Sequence, residues 1–373
     1  MTCLALLQEA YFMAKSKHII AKQPKWRLTG LAYLSLAAGI MGMSGMGQAA
    51  VYESTQVTAA QGSGQVSWSA DEASRLMHED RDSSEVAVDV RQLPGRSGNL
   101  STVVERVKEP VRQLGTQIVN RLQGQPEVSA AAALVLDAQT GEVLYSKNMD
   151  KALPIASISK LMTAVVTADA RLDMAQRIVL QPEDFNGPKR ASSTLRVGDE
   201  MNRAEVLLLA LMKSENPAAA ALARTYPGGK AAFMAAMNKK ARDLGMTSTW
   251  FGDPTGLDAR NVASAKDLGT LVRTAYQYGL IRQFTTTPHY DFNLPTRVLR
   301  SNNTNALVRE GNWNIGLSKT GYINEAGRCV VMQANINQRP TVVVLLGASS
   351  SAGRTNDANR IFTWLSGALN RYN

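Results

Sequence analysis

Residues 315–348 read IGLSKTGYINEAGRCVVMQANINQRPTVVVLLGA and lie near the end of a chain of 373 residues. Three apolar runs, over 315–322, 328–336 and 341–348, are separated by short segments that contain Asn, Gly and Pro. This pattern predicts three strands joined by turns, and strands joined by short turns pair antiparallel. A helix over about 357–370 is predicted to follow them.

The beginning of the same domain supplies two more strands. Residues 132–136 are apolar, residues 143–145 after Glu142 are apolar as well, and the turn between 132–136 and 142–145 contains Gly141, which predicts a β-hairpin. Helices are predicted between this hairpin and the C-terminal strands, over 157–166, 203–212 and 217–224. Strands at both ends with helices between them predict an α+β domain over residues 128–373, in which helices and a mainly helical subdomain flank one antiparallel sheet.

The N-terminus has the features of an export signal. A basic stretch that ends at Arg27 precedes an uncharged run over 28–52, which contains the small-residue segment Gly47-Gln48-Ala49. This is typical of a secretory signal peptide, here residues 1–49, with cleavage near Ala49 and a periplasmic destination. An uncleaved membrane anchor is the alternative, because the run is long enough to span a bilayer.

Residues 50–127 are predicted to form a flexible N-terminal extension, since apolar residues are scattered among Ser, Gln, Gly and acidic residues. An amphipathic helix is indicated within residues 100–122 by the stripe Val104, Val107, Val111, Leu114 and Ile118. Packing on its own domain is the favoured role of this stripe, and contact with partner wall enzymes or with a membrane is the alternative.

The chain is basic, with a formal net charge of +10, and most of the excess lies from residue 128 onward. A basic surface attracts polyanions, so nucleic acid, anionic lipid and peptidoglycan carboxylates are all candidates on charge alone. Cys3 would leave with the signal peptide, so the mature chain keeps Cys329 and forms no internal disulfide. Cys329, beside two valines, is predicted to be a small buried hydrophobe.

Elimination narrows the chemistry of residues 128–373. This part of the chain holds one histidine, His289, and one cysteine, Cys329. A His-rich zinc site cannot be built from one histidine, and a Ser-His-Asp triad would depend on His289, which is expected to have an ordinary surface or packing role. We therefore expect no His-rich zinc site and a base other than histidine.

A lysine can take the place of that histidine. Ser157 and Lys160 are three residues apart at the start of a predicted helix, so their side chains share one face. The helix dipole and burial both disfavour an ammonium there, which favours a neutral amine able to accept the serine proton. Alone, this tetrad is more often a capping serine followed by a surface lysine.

Two further clusters follow in order. Ser214-Glu-Asn216 closes an apolar helix just before Pro217, a position suited to capping the next helix and also to presenting a hydroxyl and a carboxamide. Lys319-Thr320-Gly321 lies on a predicted strand. Its glycine permits close approach of a substrate backbone, and its lysine and threonine offer a cation and a hydroxyl to a carboxylate.

These three clusters together resemble the motifs of penicillin-binding proteins and serine β-lactamases. The resemblance covers roughly residues 128–373 and implies the β-lactamase/transpeptidase-like fold. The segment 314–329 is similar to the low-molecular-mass D-alanyl-D-alanine endopeptidases of the penicillin-binding protein 7 type. That family hydrolyses the D-Ala–diaminopimelate cross-link between peptidoglycan peptides and is acylated by β-lactams.

The resemblance also implies catalytic roles. Lys160 would take the proton of Ser157, whose Oγ attacks the D-Ala carbonyl to form an acyl-enzyme. Ser214 would relay a proton to the leaving nitrogen. Backbone N–H groups, one from Ser157 and one from Tyr322, would hold the oxyanion.

Binding roles follow in the same way. Asn216 would bind the substrate amide, while Lys319 and Thr320 would bind a substrate carboxylate. Gly321 and Tyr322 would line the pocket. The implied partners are peptidoglycan peptides as substrate and β-lactams as covalent inhibitors, without nucleic acid. The implied mechanism requires neither a metal nor an organic cofactor.

Two departures separate the chain from neighbouring families. Class A β-lactamases place a deacylating glutamate after the second motif, whereas the similar segment here, residues 183–186, precedes Ser214. Fast β-lactam turnover is therefore not expected. Larger carboxypeptidases carry a further β-domain and an amphipathic anchor, and this chain ends soon after its last predicted helix, so membrane contact is expected to be loose at most.

Three functions stay open at this point. A D,D-endopeptidase is favoured, and a D-alanyl-D-alanine carboxypeptidase would share every named residue. A non-catalytic penicillin-binding sensor or scaffold is the third, although the sequence contains no multi-span membrane region or attached signalling domain.

Overall fold

A computed structural model of the protein describes residues 125–369. Its strands are β1 (Ala132–Asp137), β2 (Val143–Lys147), β3 (Leu153–Pro154), β4 (Arg177–Val179), β5 (Glu200–Asn202), β6 (Val262–Ala263), β7 (His289–Leu294), β8 (Arg297–Asn302), β9 (Ile315–Ile323), β10 (Gly327–Ile336) and β11 (Arg339–Ala348). Its α-helices are α1 (Lys160–Asp169), α2 (Arg203–Leu208), α3 (Asn216–Arg224), α4 (Gly229–Asp243), α5 (Ala265–Tyr276), α6 (Gly279–Thr286), α7 (Ala306–Glu310) and α8 (Ser351–Leu369).

One antiparallel sheet joins the two ends of the described chain, in the strand order β2-β1-β11-β10-β9. Strand β1 pairs with β11 in a register that sets Val135 opposite Val343, so the N-terminal hairpin is added to the C-terminal three-stranded block. The predicted α+β class is confirmed, and so is the prediction that the terminal segments share one sheet. The last strand in the order, β9, is an edge strand.

Both faces of the sheet are buried, because residues along each strand alternate between two apolar clusters. Leu134 and Val331 face a cluster that includes α1 and α5, whereas Val135 and Val330 face one that includes Phe362 of α8. Helices therefore cover the sheet on both sides, and the region from α1 to α4 forms the mainly helical part.

Two predicted helices differ from the structure in ways that matter for the site. The helix predicted over 157–166 begins with a 3-10 turn, Ala156–Ser159, and becomes α-helical only at Lys160. The helix predicted over 203–212 ends in a π-helical turn, Leu209–Lys213. Wider and tighter turns of this kind often occur at functional positions.

The C-terminal helix begins six residues earlier than predicted, at Ser351. Ser350 explains the early start, because its Oγ accepts a hydrogen bond from Gly353 N at 2.9 Å and so satisfies a free N–H of the first turn. Among residues 125–369, no helix has the length and the apolarity needed to cross a bilayer. The predicted signal peptide and the amphipathic stripe lie outside the described residues, as does nearly all of the predicted extension.

Candidate active site

The first motif lies at the junction of the 3-10 turn and α1. Ser157 belongs to the turn and Lys160 is the first residue of α1, and Lys160 Nζ lies 2.9 Å from Ser157 Oγ. Ser157 is partly exposed, whereas Lys160 is fully buried. A reachable hydroxyl beside a buried amine is the arrangement that lysine-activated nucleophilic catalysis requires.

The surroundings of Lys160 tune its amine. Nζ donates to the backbone carbonyl of Thr255 at 2.6 Å. Burial lowers the pKa of Lys160 to about 7, against the attraction of Asp253 and Glu215, which raises it. An amine with a pKa near neutrality is populated in both protonation states, so it can accept a proton from Ser157 and return it.

A loop over residues 253–261, which sequence analysis did not identify, packs directly on the serine. Gly256 has a φ of +86°, and a Cβ there would lie 2.1 Å from Ala156 O and 2.6 Å from Ser157 N. The Asp253 carboxylate accepts a hydrogen bond from Gly256 N at 3.0 Å and so fixes the turn. The Asp-Pro-Thr-Gly sequence predicts a turn, but its residue types do not indicate that this turn contacts Ser157.

The turn that carries the serine is itself strained. Ala156 has a φ of +50°, in the left-handed region that costs an L-residue about 1–2 kcal/mol. Ser159 Oγ donates to Ala156 O at 2.7 Å, and Asn261 Nδ2 donates to Ser159 Oγ at 2.9 Å. These buried contacts hold the backbone in a conformation that it would otherwise leave.

The second motif forms the corner between the π-helical turn and α3. Ser214 has a φ of +66°, and α3 begins at Asn216 without a side-chain cap. Asn216 Oδ1 accepts from Lys160 Nζ at 2.7 Å, and Ser214 Oγ accepts from Lys319 Nζ at 2.8 Å. The corner therefore connects the first motif with the third.

The third motif lies on the edge strand β9. Lys319 is buried, and its Nζ also donates to Thr320 O at 2.9 Å. Burial, followed by the positive charges of Lys160 and Arg354, lowers the pKa of Lys319 well below its usual range. Thr320 Oγ1 donates to Thr304 Oγ1 at 2.6 Å, which orients its hydroxyl.

Close packing against the serine-bearing turn requires a glycine at position 321, which the sequence did not reveal. A Cβ at this position would lie 2.9 Å from Ile155 O and 3.1 Å from Ser157 N, so the glycine lets β9 approach the serine-bearing turn. From the sequence, the close approach expected at Gly321 was that of a substrate backbone. The next residue, Tyr322, is 47% exposed, and the Arg328 guanidinium stacks 3.4 Å from its ring centroid.

The three motifs open into one cleft of about 580 Å³. Six of the eight residues predicted for the site line it, and Lys160 and Lys319 lie buried behind it. Four of the five charged lining residues are basic, so the cleft favours an anionic ligand. The lining from outside the motifs comprises Lys189, Arg190, Ala191, Ser192, Leu257, Thr304, Ile323, Asn324, Glu325, Arg328, Ser351 and Arg354.

Arg354, near the start of α8, is a cleft residue that sequence reasoning missed. It is 9% exposed, and its Nη1 donates to Cys329 O at 3.4 Å. Burial and the nearby Arg328 lower the pKa of the Arg354 guanidinium. An incoming carboxylate would stabilise the Arg354 guanidinium against both its burial and the repulsion from Arg328, because it would pair with a cation that has lost its water.

Glu215, the middle residue of the second motif, was also missed. It is 5% exposed, and its carboxylate accepts from Ser193 Oγ at 2.6 Å, Thr194 Oγ1 at 2.5 Å and Thr194 N at 3.2 Å. The loop that these residues belong to forms one wall of the cleft. The motif that carries Ser214 and Asn216 therefore also fixes a cleft wall.

Three candidates considered from the sequence do not line the cleft, namely His289, Cys329 and residues 183–186. His289 is exposed on β7, in agreement with the surface role expected of it. Cys329 is fully buried, and burial raises the pKa of its thiol to about 11. Residues 183–186 contain the buried Asp184, which pairs with Arg224 at 2.8 Å and is structural.

Comparison with known proteins shows which family the chain is similar to. The family model of peptidase S11, described as D-alanyl-D-alanine carboxypeptidase, matches residues 120–350. Two D-alanyl-D-alanine endopeptidases, from Pseudomonas aeruginosa and Escherichia coli K12, are each 46% identical over 243 residues. Each match covers 65% of this chain and 78% of the relative.

A solved structure carries the same fold. The crystal structure of the Streptomyces K15 DD-transpeptidase is similar with a TM-score of 0.61 and 25% sequence identity. The match covers 65% of this chain and 99% of that protein. The fold predicted from the resemblance, that of penicillin-binding proteins and transpeptidases, is confirmed.

Proposed function

The chain belongs to peptidase family S11, the D-alanyl-D-alanine carboxypeptidases, and on this premise we propose that it is a serine D,D-endopeptidase of peptidoglycan. Its reaction is hydrolysis of the D-Ala–diaminopimelate cross-link through an acyl-enzyme on Ser157. The similarity to D-alanyl-D-alanine endopeptidases, higher than that to any carboxypeptidase among the relatives compared, favours cross-link cleavage.

The observation that carries the proposal is the contact between Ser157 Oγ and a buried lysine whose pKa is about 7. Neutral Lys160 accepts the serine proton while Oγ attacks the D-Ala carbonyl. The developing oxyanion is bound by the backbone N–H groups of Ser157 and Tyr322, a type of contact worth about 10²–10³ in rate.

Ser214 relays to the leaving nitrogen the proton that Lys160 took from Ser157, so its hydroxyl gives one proton and receives one, and Lys160 becomes neutral again. Its hydroxyl accepts a hydrogen bond from Lys319, which leaves its own proton free to be donated toward the cleft. Asn216 keeps its amide nitrogen for the substrate, since its oxygen is engaged by Lys160. Water then attacks the ester and releases the acyl group, with Lys160 again as base, so no cofactor enters the scheme.

The substrate lies along the free edge of β9. An extended peptide that adds to an edge strand obtains main-chain hydrogen bonds along its length. In an antiparallel arrangement, its carboxylate end lies near Lys319 and Thr320, with Arg354 as a further cation, and its donor end lies toward Asn324. Thr320 and Arg354 thus select the carboxylate of the leaving residue, while Gly321 and Tyr322 border the acyl position.

The proposal includes an exported enzyme. We place the signal peptide at residues 1–49, the N-terminal extension at 50–127 and the catalytic domain at 128–373, and we propose the periplasm as the location. For the amphipathic helix within residues 100–122, packing on its own domain is the favoured role and contact with partner wall enzymes is the alternative. Deleting 51–124 from the mature chain is expected to leave peptide hydrolysis intact, and loss of hydrolysis would make this segment part of the catalytic fold.

A labelling experiment tests the nucleophile. A fluorescent penicillin is expected to label the wild-type chain covalently and to leave Ser157→Ala unlabelled, because the ester cannot form. Lys160→Met is expected to label far more slowly. Ser192→Ala, which removes another hydroxyl of the same cleft, is the matched control and should label normally; labelling that persists in Ser157→Ala overturns the assignment.

A product analysis separates the endopeptidase from the carboxypeptidase. The chain is incubated with cross-linked dimeric muropeptide and, separately, with monomeric pentapeptide. We expect monomers from the dimer at the higher rate. Free D-Ala as the main product would identify a carboxypeptidase, and labelling without any turnover would identify a penicillin-binding sensor.

A further inference from the structure

An ion pair spans the cleft at the donor end of β9. Lys189, from the wall that Glu215 anchors, donates a hydrogen bond to Glu325, in the turn between β9 and β10. Both residues line the cleft, and their side chains are 38% and 45% exposed. An exposed pair of this kind contributes little to folding stability, so it is open to exchange with a ligand.

The charges around this pair point to a ligand with an ammonium group. Glu325 is the one acid among the cleft-lining residues in the described part of the chain. The hydrogen bond from Lys189 lowers the pKa of Glu325, so its carboxylate is ionised at neutral pH. Among the cleft-lining cations, Arg328 stacks on Tyr322 and Arg354 is buried on α8, whereas Lys189 is hydrogen-bonded to Glu325.

Position along β9 selects the substrate residue that reaches the pair. Strand β9 ends at Ile323, and Glu325 lies in the turn that follows it. A peptide bound antiparallel to β9 with its scissile D-Ala beside Tyr322 has its preceding residue further toward that turn. The long side chain of a diamino acid at that place carries its end group toward Lys189 and Glu325.

We propose that Lys189 and Glu325 form a subsite for the zwitterionic amino-acid end of the diamino acid that precedes the scissile D-alanine. The proposal rests on the proposed function and names a specificity determinant within it. The ammonium of the end group pairs with Glu325 and its carboxylate pairs with Lys189. Entry of the ligand replaces one exposed ion pair by two, and no covalent step is involved.

A simpler role must be separated from this one. As a latch, the pair would fix the loop against the β9–β10 turn, and its loss would slow the enzyme toward every substrate. As a subsite, it acts on charged donors alone. Dependence on the donor residue therefore distinguishes the two roles.

The test uses the full chain and three peptides with the same leaving group. Their donor residues are meso-diaminopimelate, L-lysine and Nε-acetyl-lysine, which carry two charges, one charge and none at the end of the side chain. The variants are Lys189→Met and Glu325→Gln. Lys239→Met, which breaks the exposed Lys239–Asp243 pair on α4, is the matched control.

We expect Lys189→Met to lower kcat/KM about fivefold for the diaminopimelate donor and to leave the acetyl-lysine donor within twofold. Glu325→Gln should lower kcat/KM about fivefold for both the diaminopimelate donor and the lysine donor. Lys239→Met should change none of them. Equal losses on all three donors, or no loss on any, would overturn the subsite in favour of a latch or of no role.

The wild-type chain separates this result from the proposed function. Hydrolysis of all three donors at equal rates would overturn the subsite and keep the endopeptidase. Hydrolysis of none of them would remove the proposed function and the subsite together.

Discussion

The two walls of the cleft are built in opposite ways. One is the regular edge strand β9, which carries Lys319 through Tyr322 on ordinary extended backbone. The other carries Ser157 and Ser214, and its backbone includes left-handed residues, a 3-10 turn and a π-helical turn. The strand supplies a straight edge for binding, while the irregular wall brings hydroxyls and an amine together from distant segments.

Backbone strain at the cleft lies in the irregular wall. Ala156 and Ser214, at φ values of +50° and +66°, each cost about 1–2 kcal/mol and lie beside or at a residue proposed to react. Hydrogen bonds from Asn261 of the loop over 253–261 to the serine-bearing turn and from Lys319 to Ser214 maintain them. Changes that relax or disturb the irregular wall should therefore affect catalysis more than changes of similar size in the strand.

The largest expected effect is that of Gly256→Ala. The added Cβ would lie 2.1 Å from Ala156 O, so the serine-bearing turn must move. Because a displacement of about 1 Å in a catalytic group costs on the order of 10²-fold in rate, penicillin acylation should fall by at least that factor. Stopped-flow acylation with a fluorescent penicillin measures it.

Gly198→Ala is the matched control for this substitution. Gly198 has a φ of +87°, almost equal to that of Gly256, and a Cβ there meets no atom within 4 Å. Gly198→Ala should lower the melting temperature as Gly256→Ala does, because alanine is strained at this φ. It should keep the wild-type acylation rate. Equal acylation losses in both variants would mean that backbone strain alone, rather than contact with the serine turn, explains the result.

Gly321→Ala probes the strand wall with a smaller expected effect. Its Cβ would lie 2.9 Å from Ile155 O, so β9 must shift by a few tenths of an ångström. We expect acylation to slow about tenfold, since a small shift misaligns the oxyanion donors without moving the serine turn. A loss larger than that of Gly256→Ala would reverse the comparison between the walls.

The strand wall could be predicted from sequence because its information is local. Alternating apolar residues with Asn, Gly and Pro between them define β9 to β11, and the Lys-Thr-Gly segment lies within one strand. The order of the three motifs along the chain also indicated that they meet. The terminal hairpin was predictable for the same reason.

The motif residues of the irregular wall could be predicted, but its backbone could not, because the contacts that shape it join residues far apart in the chain. Lys160 is held by the carbonyl of Thr255, 95 positions away, and a backbone carbonyl leaves no trace in residue type. The positive φ of Ala156 contradicts the propensity of alanine, so tertiary contacts alone fix it. Helices α4, α5 and α6 and the β7–β8 hairpin were missed as well, since no motif drew attention to them.

Glu215→Gln tests the electrostatics of the irregular wall. Glutamine keeps the size of the side chain and an oxygen acceptor for Thr194, but it removes a negative charge that raises the pKa of Lys160. The acylation rate is expected to rise as the pH passes the Lys160 pKa of about 7, since the neutral amine is the proposed base. Loss of the Glu215 charge lowers that pKa, so the acid limb should move to lower pH.

A full pH profile of acylation measures this shift. At pH values well above 7, the rate should stay within a few-fold of wild type. Glu200→Gln, which removes a carboxylate paired with the exposed Arg177, is the control and should leave the limb in place. A limb that does not move in Glu215→Gln would restrict Glu215 to holding the loop.

The smallest expected effect compares two left-handed residues, Ala156 in the site and Arg171 outside it, with φ values of +50° and +48°. Glycine accepts this conformation without strain, so Arg171→Gly should raise stability by up to about 1 kcal/mol and leave acylation unchanged. Ala156→Gly gains the same relief but loses a buried methyl group, worth about 1 kcal/mol, so its melting temperature should barely change. Its acylation should nevertheless slow several-fold, because the freed backbone no longer fixes Ser157 against Gly256. An unchanged rate in Ala156→Gly would show that contacts alone, without backbone strain, position the serine.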